Sequence, residues 1–343
     1  MTDKTAVAWY RLFQAEGFGP KAMYIVWRTM HDSGLLLEKL FEMERPDFES
    51  RFPSLGKGKL KRADFGTLQA QDEDKLHEEY QNLRDDGVEM VHPGHPLCGE
   101  NLLGLVEYGA FPILFCKGRI SLLKSQGVAI VGSRNASEEG MSIARQFAAD
   151  LALAGENVVS GYAKGIDTSA HEGALEKDGT TTIVLSHGIL QFSKKKVFDK
   201  VAREGNTLII SQFHPREGWS AGNAMVRNRL VCALSKAVIV VECGPEKGED
   251  GTMSGTFDAG KTALQMKIPL FVLSPGSFKN PPAGNKDLLR VGGIEVAPAE
   301  GIRAVLQNVN TVSSQQRKNV APGEQLTLFS STEGGGRVRP RSF

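Results

Sequence analysis

The chain has 343 residues, enough for about two domains with a sizeable core. Its 41 Lys and Arg balance 40 Asp and Glu, so no global field selects a partner, and a nucleic-acid site must come from local clustering. The four cysteines (Cys98, Cys116, Cys232, Cys243) form no C-x-x-C pair, no apolar leader opens the chain, and no run of 18 apolar residues occurs; these features argue against a disulfide framework, a zinc site or a membrane span and predict a soluble cytoplasmic protein.

Residues 1–87 read as short amphipathic helices joined by glycine turns, as in "EGFGPKAMYIVWRTM" and "PSLGKGKLKRADF". Each turn places two glycines before a lysine: Gly17, Gly19 and Lys21, then Gly56, Gly58 and Lys59. Such turns can aim backbone N–H groups at a phosphate, or simply join helices. A small helical domain is expected here.

Residues 88–308 alternate apolar runs with helical patterns. The runs "VAIVG" (128–132), "NVVSG" (157–161), "TTIVL" (181–185), "TLIIS" (207–211), "AVIVVE" (237–242) and "PLFVL" (269–273) are continuous and β-branched. That is the signature of strands covered on both faces. "VEMVHP" and "PILFCKG" add two further strands. In "SEEGMSIARQFAADLALAG", Ser137 suits an N-cap, Glu138 and Glu139 the first turn, and Gly155 the C-terminal cap. Strand–helix alternation predicts an α/β fold with a doubly wound, mainly parallel sheet. From 309 to 343 the chain turns polar and rich in Ser, Gln and Gly, predicting a disordered C-terminal tail with one apolar island.

Ligands of such sheets bind beyond the carboxyl ends of the strands. There the sequence places Ser133 and Arg134, Ser160 and Gly161, Lys164 and Gly165, then Ser186, His187 and Gly188, and the loop "SQFHPREGWSAGNAMVRNR". Glycines admit an anion to the backbone while Ser, Arg and Lys donate to it. Asp167 is expected to be the N-cap of the next helix, and His171 to make a structural hydrogen bond. His92 and His95 lack a matching ligand set, so no metal is expected. The lysines of "SKKK" (193–196) read as a solvated helix face on the same edge. No x-G-x-x-G follows "VAIVG", which argues against NAD or FAD; no cofactor is expected.

"VAIVGSRNAS", "VVSGYAKGIDTSAHEGAL", "RNRLVCALSKAVIVVE" and "GTFDAGKTALQMKIPLFVLSPG" resemble, in order and spacing, the DNA-processing protein A (DprA/Smf) family over roughly residues 90–295. The resemblance implies an extended Rossmann-like fold behind a small SAM-like helical domain. It implies a non-enzymatic single-stranded DNA-binding homodimer that passes the strand to a RecA-type recombinase during DNA uptake, recombination and transformation. The implied DNA-binding residues are Ser133, Arg134, Ser160, Gly161, Lys164, Gly165, Arg227, Asn228 and Arg229, with no catalytic residue. Three departures stand out. "NAMVRNR" has Ala224 where the family carries a base-contacting aromatic and Val226 where it carries an arginine, with Trp219 or Phe213 as candidate substitutes. "GEDGTMSGTF" is longer and acidic, and no winged-helix module follows. An alternative is a nucleotide-binding enzyme or sensor of the phosphoribohydrolase-like group, although "PEKGEDGTMSGTF" lacks that group's glutamate; another is a phage-defence or antitoxin-like regulator. In the tail, "EQLTLF" resembles the pentapeptide that docks on the β sliding clamp, with Gln325, Leu326, Leu328 and Phe329 as its anchors; the same residues can instead return to the sheet as a terminal strand.

Overall fold

The computed structural model describes residues 3–110, 113–201, 205–248 and 251–307. Five helices come first: α1 (Asp3–Gln14), α2 (Pro20–Asp32), α3 (Arg45–Arg51), α4 (Phe65–Gln69) and α5 (Glu73–Asp85). The two glycine turns pack on each other, with Gly17 against the carbonyl of Arg62. Next come β1 (Val88–Val91), α6 (Glu100–Leu103) and β2 (Leu114–Gly118). The α/β succession then runs β3 (Gly127–Val131), α7 (Glu138–Leu153), β4 (Val158–Ser160), α8 (Ile166–Glu176), β5 (Thr181–Val184) and β6 (Thr207–Ser211). It continues through α9 (Ala221–Ala233), β7 (Ser235–Val240), α10 (Gly255–Gln265), β8 (Leu270–Leu273), α11 (Ala283–Arg290) and β9 (Ile294–Val296).

The strands make one nine-stranded sheet in the order β1-β2-β6-β5-β4-β3-β7-β8-β9. Pairing is parallel from β6 to β9, while β1–β2 and β2–β6 are antiparallel. The doubly wound, mainly parallel expectation therefore holds. Its physical basis is visible in β3, where Val128 and Ile130 pack with Phe147 and Leu151 of α7. Their neighbours Ala129 and Val131 pack on the opposite face with Leu230 of α9 and Phe257 of α10. Both faces being buried, alternation disappears and the run is continuously apolar. Each fully buried side chain of this size contributes about 1.5–3 kcal/mol.

Ser137 caps α7 as expected, its hydroxyl accepting from Gly140 N–H at 3.0 Å. Gly155 follows the helix with φ 78°. The N-terminal helices are fixed to the antiparallel end of the sheet by aromatic contacts. Phe13 and Tyr10 meet Phe115 of β2 edge-on, with centroids 5.3 and 6.3 Å apart, and Trp9 stacks on His92 at 5.4 Å. This core reaches Ile183 and Leu185, so α1–α5 sit beside the carboxyl end of β5. The helix at "SKKK" is a short 3-10 turn over Lys196–Lys200. Among the described residues, no helix is long and apolar enough to cross a membrane. Gln325, Leu326, Leu328 and Phe329 lie outside the described residues.

Candidate functional site

Strand order reverses between β3 and β7: successive strands from β3 run one way to β6, and β7 to β9 lie on the other side. A crevice opens at such a switch point because the flanking connections leave in opposite directions. Two turns build its floor. Ser133, just beyond β3, donates its N–H to Glu242 O at 2.7 Å and accepts from Ile166 N–H at 3.3 Å. Gly165 precedes α8 with φ 80°, and a Cβ there would lie 2.5 Å from Ser133 O, so the position requires glycine. These turns lie back to back, which puts Arg134 and Lys164, both exposed, on one rim.

Arg227 enters from α9 and is 5% exposed. Its guanidinium occupies the space a side chain at Gly161 would fill, since a Cβ at 161 would lie 1.2 Å from Arg227 Nη1. Nη1 also faces Asp167 Oδ2 at 3.8 Å, and that carboxylate accepts from Ala163 N–H at 3.2 Å. Burial pulls Arg227 below the ordinary arginine range, Asp167 opposes the pull, and the charge of Arg134 adds to it. Its Nε is buried without a partner. One donor of this buried cation is thus unspent, and a second cation, Arg134, stands near enough to act on it.

Two clefts meet at this arginine. The larger, about 790 Å³, is lined by Ser133, Met225, Asn228, Met253 and the first residues of α9 and α10. The smaller, about 220 Å³, is lined by Gly161, Lys164, His187 and Trp219. Arg134, Ala163 and Arg227 border both. The amino ends of α9 and α10, capped by Ser220 and Ser254, open onto the larger cleft, and their dipoles add positive potential.

Among the sequence-derived candidates, Ser133, Arg134, Gly161, Lys164, Arg227 and Asn228 line the two clefts. Gly165 is buried beneath them. The buried hydroxyl of Ser160 donates to Ile130 O at 2.6 Å and is spent joining β4 to β3. Asn228 donates to Gly255 O at 2.9 Å and Asp258 Oδ2 at 3.1 Å, fixing α9 to the start of α10. Arg229 lines neither cleft: two residues along a helix turn the side chain by about 200°, and its guanidinium lies by Gly109. Asp167 is a correction: Gly165 is the N-cap, and Asp167 stands in the first turn as the partner of Arg227.

His171 makes the structural bond expected of it. Thr181 Oγ1 donates to Val158 O at 2.8 Å, so it accepts from His171 Nδ1–H at 2.7 Å. Burial, then the charges of Lys195 and Arg227, push this histidine down to about 3. Glu242 is committed to the start of α7, accepting from Ser137 N–H at 3.0 Å and Oγ at 2.8 Å. His92 and His95 accept from Gly94 and Leu97 N–H groups and so brace their own loop. No group of three His, Cys, Asp or Glu able to hold a metal occurs among the described residues. Of the two candidate aromatics, Phe213 is buried, while Trp219 is 55% exposed with the Arg134 guanidinium 5.3 Å from its ring centroid.

The sequence reading missed three features. Tyr162 holds a left-handed φ of 66°, and Lys195 braces it by donating to Tyr162 O at 2.9 Å, Ala163 O at 3.2 Å and Thr168 Oγ1 at 2.7 Å. Lys195 of "SKKK" thus turns inward rather than facing solvent. Met225 and Met253 line the larger cleft, Met253 being carried there by a bridge to Lys247. None of these had a local signal, because each depends on a neighbouring chain segment.

Residues 93–308 match the family model described as DNA recombination-mediator protein A. Protein Smf of Escherichia coli (strain K12) is 34% identical over 211 residues, covering 60% of this chain and 53% of the relative. The DNA processing protein DprA of Streptococcus pneumoniae is 34% identical over 160 residues, 45% of this chain and 55% of the relative. The chain thus spans about half the length of the curated relatives it matches. An X-ray structure of DNA processing protein A from Streptococcus pneumoniae shares the fold, with a TM-score of 0.69 at 22% identity over 88% of this chain and 98% of that one. A structure addressing the single-stranded DNA binding mode of DNA processing protein A from Helicobacter pylori matches with a TM-score of 0.50 at 27% identity, covering 66% of this chain and 96% of that one.

Proposed function

The chain belongs to the DNA recombination-mediator protein A family, and from that premise we propose that its switch-point clefts bind the phosphate backbone of single-stranded DNA without reacting with it. The carrying observation is the convergence of Arg134, Lys164 and the buried Arg227 on two joined clefts at the strand ends. A strand crossing from one cleft to the other must pass Arg134 and Arg227, where a phosphate would meet two cations. Ser133 would add a hydroxyl and the helix ends their dipoles. Ser160, Gly165 and Asn228 act in this reading by fixing the turns, not by touching DNA. The single-stranded DNA binding addressed for the Helicobacter pylori protein supports the assignment.

A purely binding role fits the state of the titratable groups. Asp167 is paired with Arg227, His171 is buried and neutral, and Glu242 is tied to α7, which leaves no free acid–base pair among these three. We take residues 88–308 as the binding unit, 1–87 as an appended helical domain, and 309–343 as a tail whose Gln325, Leu326, Leu328 and Phe329 dock on a sliding clamp. In the same reading the protein works in the cytoplasm as a homodimer and delivers the strand to a RecA-type recombinase.

The test is oligo-dT binding measured by fluorescence anisotropy at several salt concentrations, beside a thermal-shift screen of free nucleotides. R134A and K164A should each weaken binding and flatten the salt slope by about 0.7, the single-strand value per phosphate contact. Parent-like binding by the double variant, or thermal stabilisation by nucleotides without oligo-dT binding, overturns the assignment.

A further inference from the structure

Of the three consecutive lysines that follow Ser193, Lys194 and Lys196 are exposed and Lys195 is half-buried. Its ammonium lies 4.3 Å from the centroid of the Tyr162 ring, on which Phe198 stacks at 5.8 Å and which Phe192 meets at 5.3 Å. Hydrogen bonds clasp this segment to the tyrosine. Tyr162 Oη donates to Ser193 O at 3.0 Å and accepts from Lys195 N–H at 2.8 Å, while Lys195 Nζ donates to Tyr162 O, Ala163 O and Thr168 Oγ1. An ammonium carries three N–H groups, and these three acceptors use them all, so Lys195 has no donor left for a ligand. Burial pulls it below the ordinary lysine range, against the opposing charges of Asp167 and Glu172, so the clasp is held at a cost in hydration. What it holds is the turn between β4 and Lys164. Tyr162 takes a left-handed φ of 66° there, which a bulky side chain rarely does. Such a conformation persists only where its surroundings over-determine it, and outliers of this kind gather at binding sites. Thr168 Oγ1 also donates to Ala163 O at 2.6 Å, and Ala163 N–H donates to Asp167 Oδ2 at 3.2 Å. A peptide unit is planar, so fixing the Ala163 carbonyl fixes the direction in which the chain enters Lys164, an exposed residue on the wall of the smaller cleft.

We propose that Lys195 is a positioning residue for the strand: by imposing the left-handed turn at Tyr162 it aims Lys164 into the smaller cleft, without touching DNA itself. The inference rests on the single-strand reading above and adds to it a residue that lines neither cleft. A lysine side chain has many rotamers, and ordering it on a ligand opposes binding; a backbone turn fixed in advance lowers that cost. A lysine that served only to hold the fold would lower stability when removed and leave the affinity of the folded protein as it was.

The experiment measures oligo-dT affinity at several salt concentrations, with urea midpoints alongside, for the full chain as parent, K164A, K195M, K164A/K195M, Y162F and R134A. K195M keeps an unbranched side chain and removes the ammonium; it should weaken binding to the level of K164A and cut the salt slope by about 0.7, the value of one phosphate contact. K164A/K195M should bind no worse than K164A, since both changes act through the Lys164 contact. Y162F keeps the ring and loses the two hydrogen bonds of its hydroxyl, and should give a smaller loss of affinity. A lowered midpoint in K195M with parent-like affinity and slope, or losses that add in the double variant, overturns the role given to Lys195 and leaves the phosphate site standing. If K195M does not fold, parent-like binding by Y162F overturns it. Parent-like binding by both R134A and K164A overturns the phosphate site and the positioning role with it.

Discussion

Replacing Gly161 with alanine tests the link between the fold and the proposed site at one atom. Gly161 has no positive φ, so its backbone accepts alanine, and the whole effect is steric. The new Cβ would fall 1.2 Å from Arg227 Nη1, and ordinary contact begins at 3.4 Å. The guanidinium must retreat by about 2 Å. The pair with Asp167, already at 3.8 Å, then breaks and leaves a carboxylate whose side chain is 5% exposed. Deleting one partner of a buried pair costs about 3–5 kcal/mol. Here the arginine swings into an open cleft and stays solvated, so a loss of about 2 kcal/mol is expected, read as a lower urea midpoint at unchanged m-value. Oligo-dT binding should weaken together with a salt slope reduced by about 0.7, as in R227A, because the cation no longer meets the phosphate. The G161A/R227A double variant should bind no worse than R227A alone, since both changes act through the same guanidinium. An unchanged midpoint and salt slope in G161A would refute the role given to the seat of Arg227.

Two further outcomes follow from the same geometry. R229A should bind oligo-dT like the parent, since its guanidinium lies by Gly109; a loss matching that of R134A would show the strand path running over the other side of α9. His92 and His171 are both pushed down to about 3, mainly by burial. The unfolded chain protonates them near 6.5. Unfolding therefore takes up protons between those values, and stability falls as pH drops from about 6.5 toward 3, by up to ~1.4 kcal/mol per pH unit for each ring. The urea midpoint should decline from pH 7 to 5, and H171Q should flatten that decline; a pH-independent midpoint would contradict it.

The chain makes plain in its local pattern which segments are strands and where they end. The runs from 128 to 273 are continuously apolar because both sheet faces are covered, and each became a strand within a residue or two. Ser137 and Gly155 announced the ends of α7 through their own backbone chemistry. β9 gave no such signal: it is three residues long, Ile294 and Glu295 are exposed, and pairing with β8 alone makes it a strand. The site divides the same way. Loops after strands were legible as ligand-facing, because a parallel sheet places all of them on one edge.

Which residues on that edge face the ligand was settled by packing. α9 is buried on several sides, so it carries no apolar stripe to separate Arg227 from Arg229, and only its position between β7 and α10 turns one inward and the other away. Asp167 reads as a cap until Arg227 arrives from 60 residues further along the chain. Trp219 and Phe213 are equivalent by sequence, and the folding of their shared loop buries one and presents the other. Sequence fixes what depends on neighbours a few residues away, through period, capping and turn chemistry. The choice among similar side chains is made by contacts between distant segments, which exist only once the sheet has assembled.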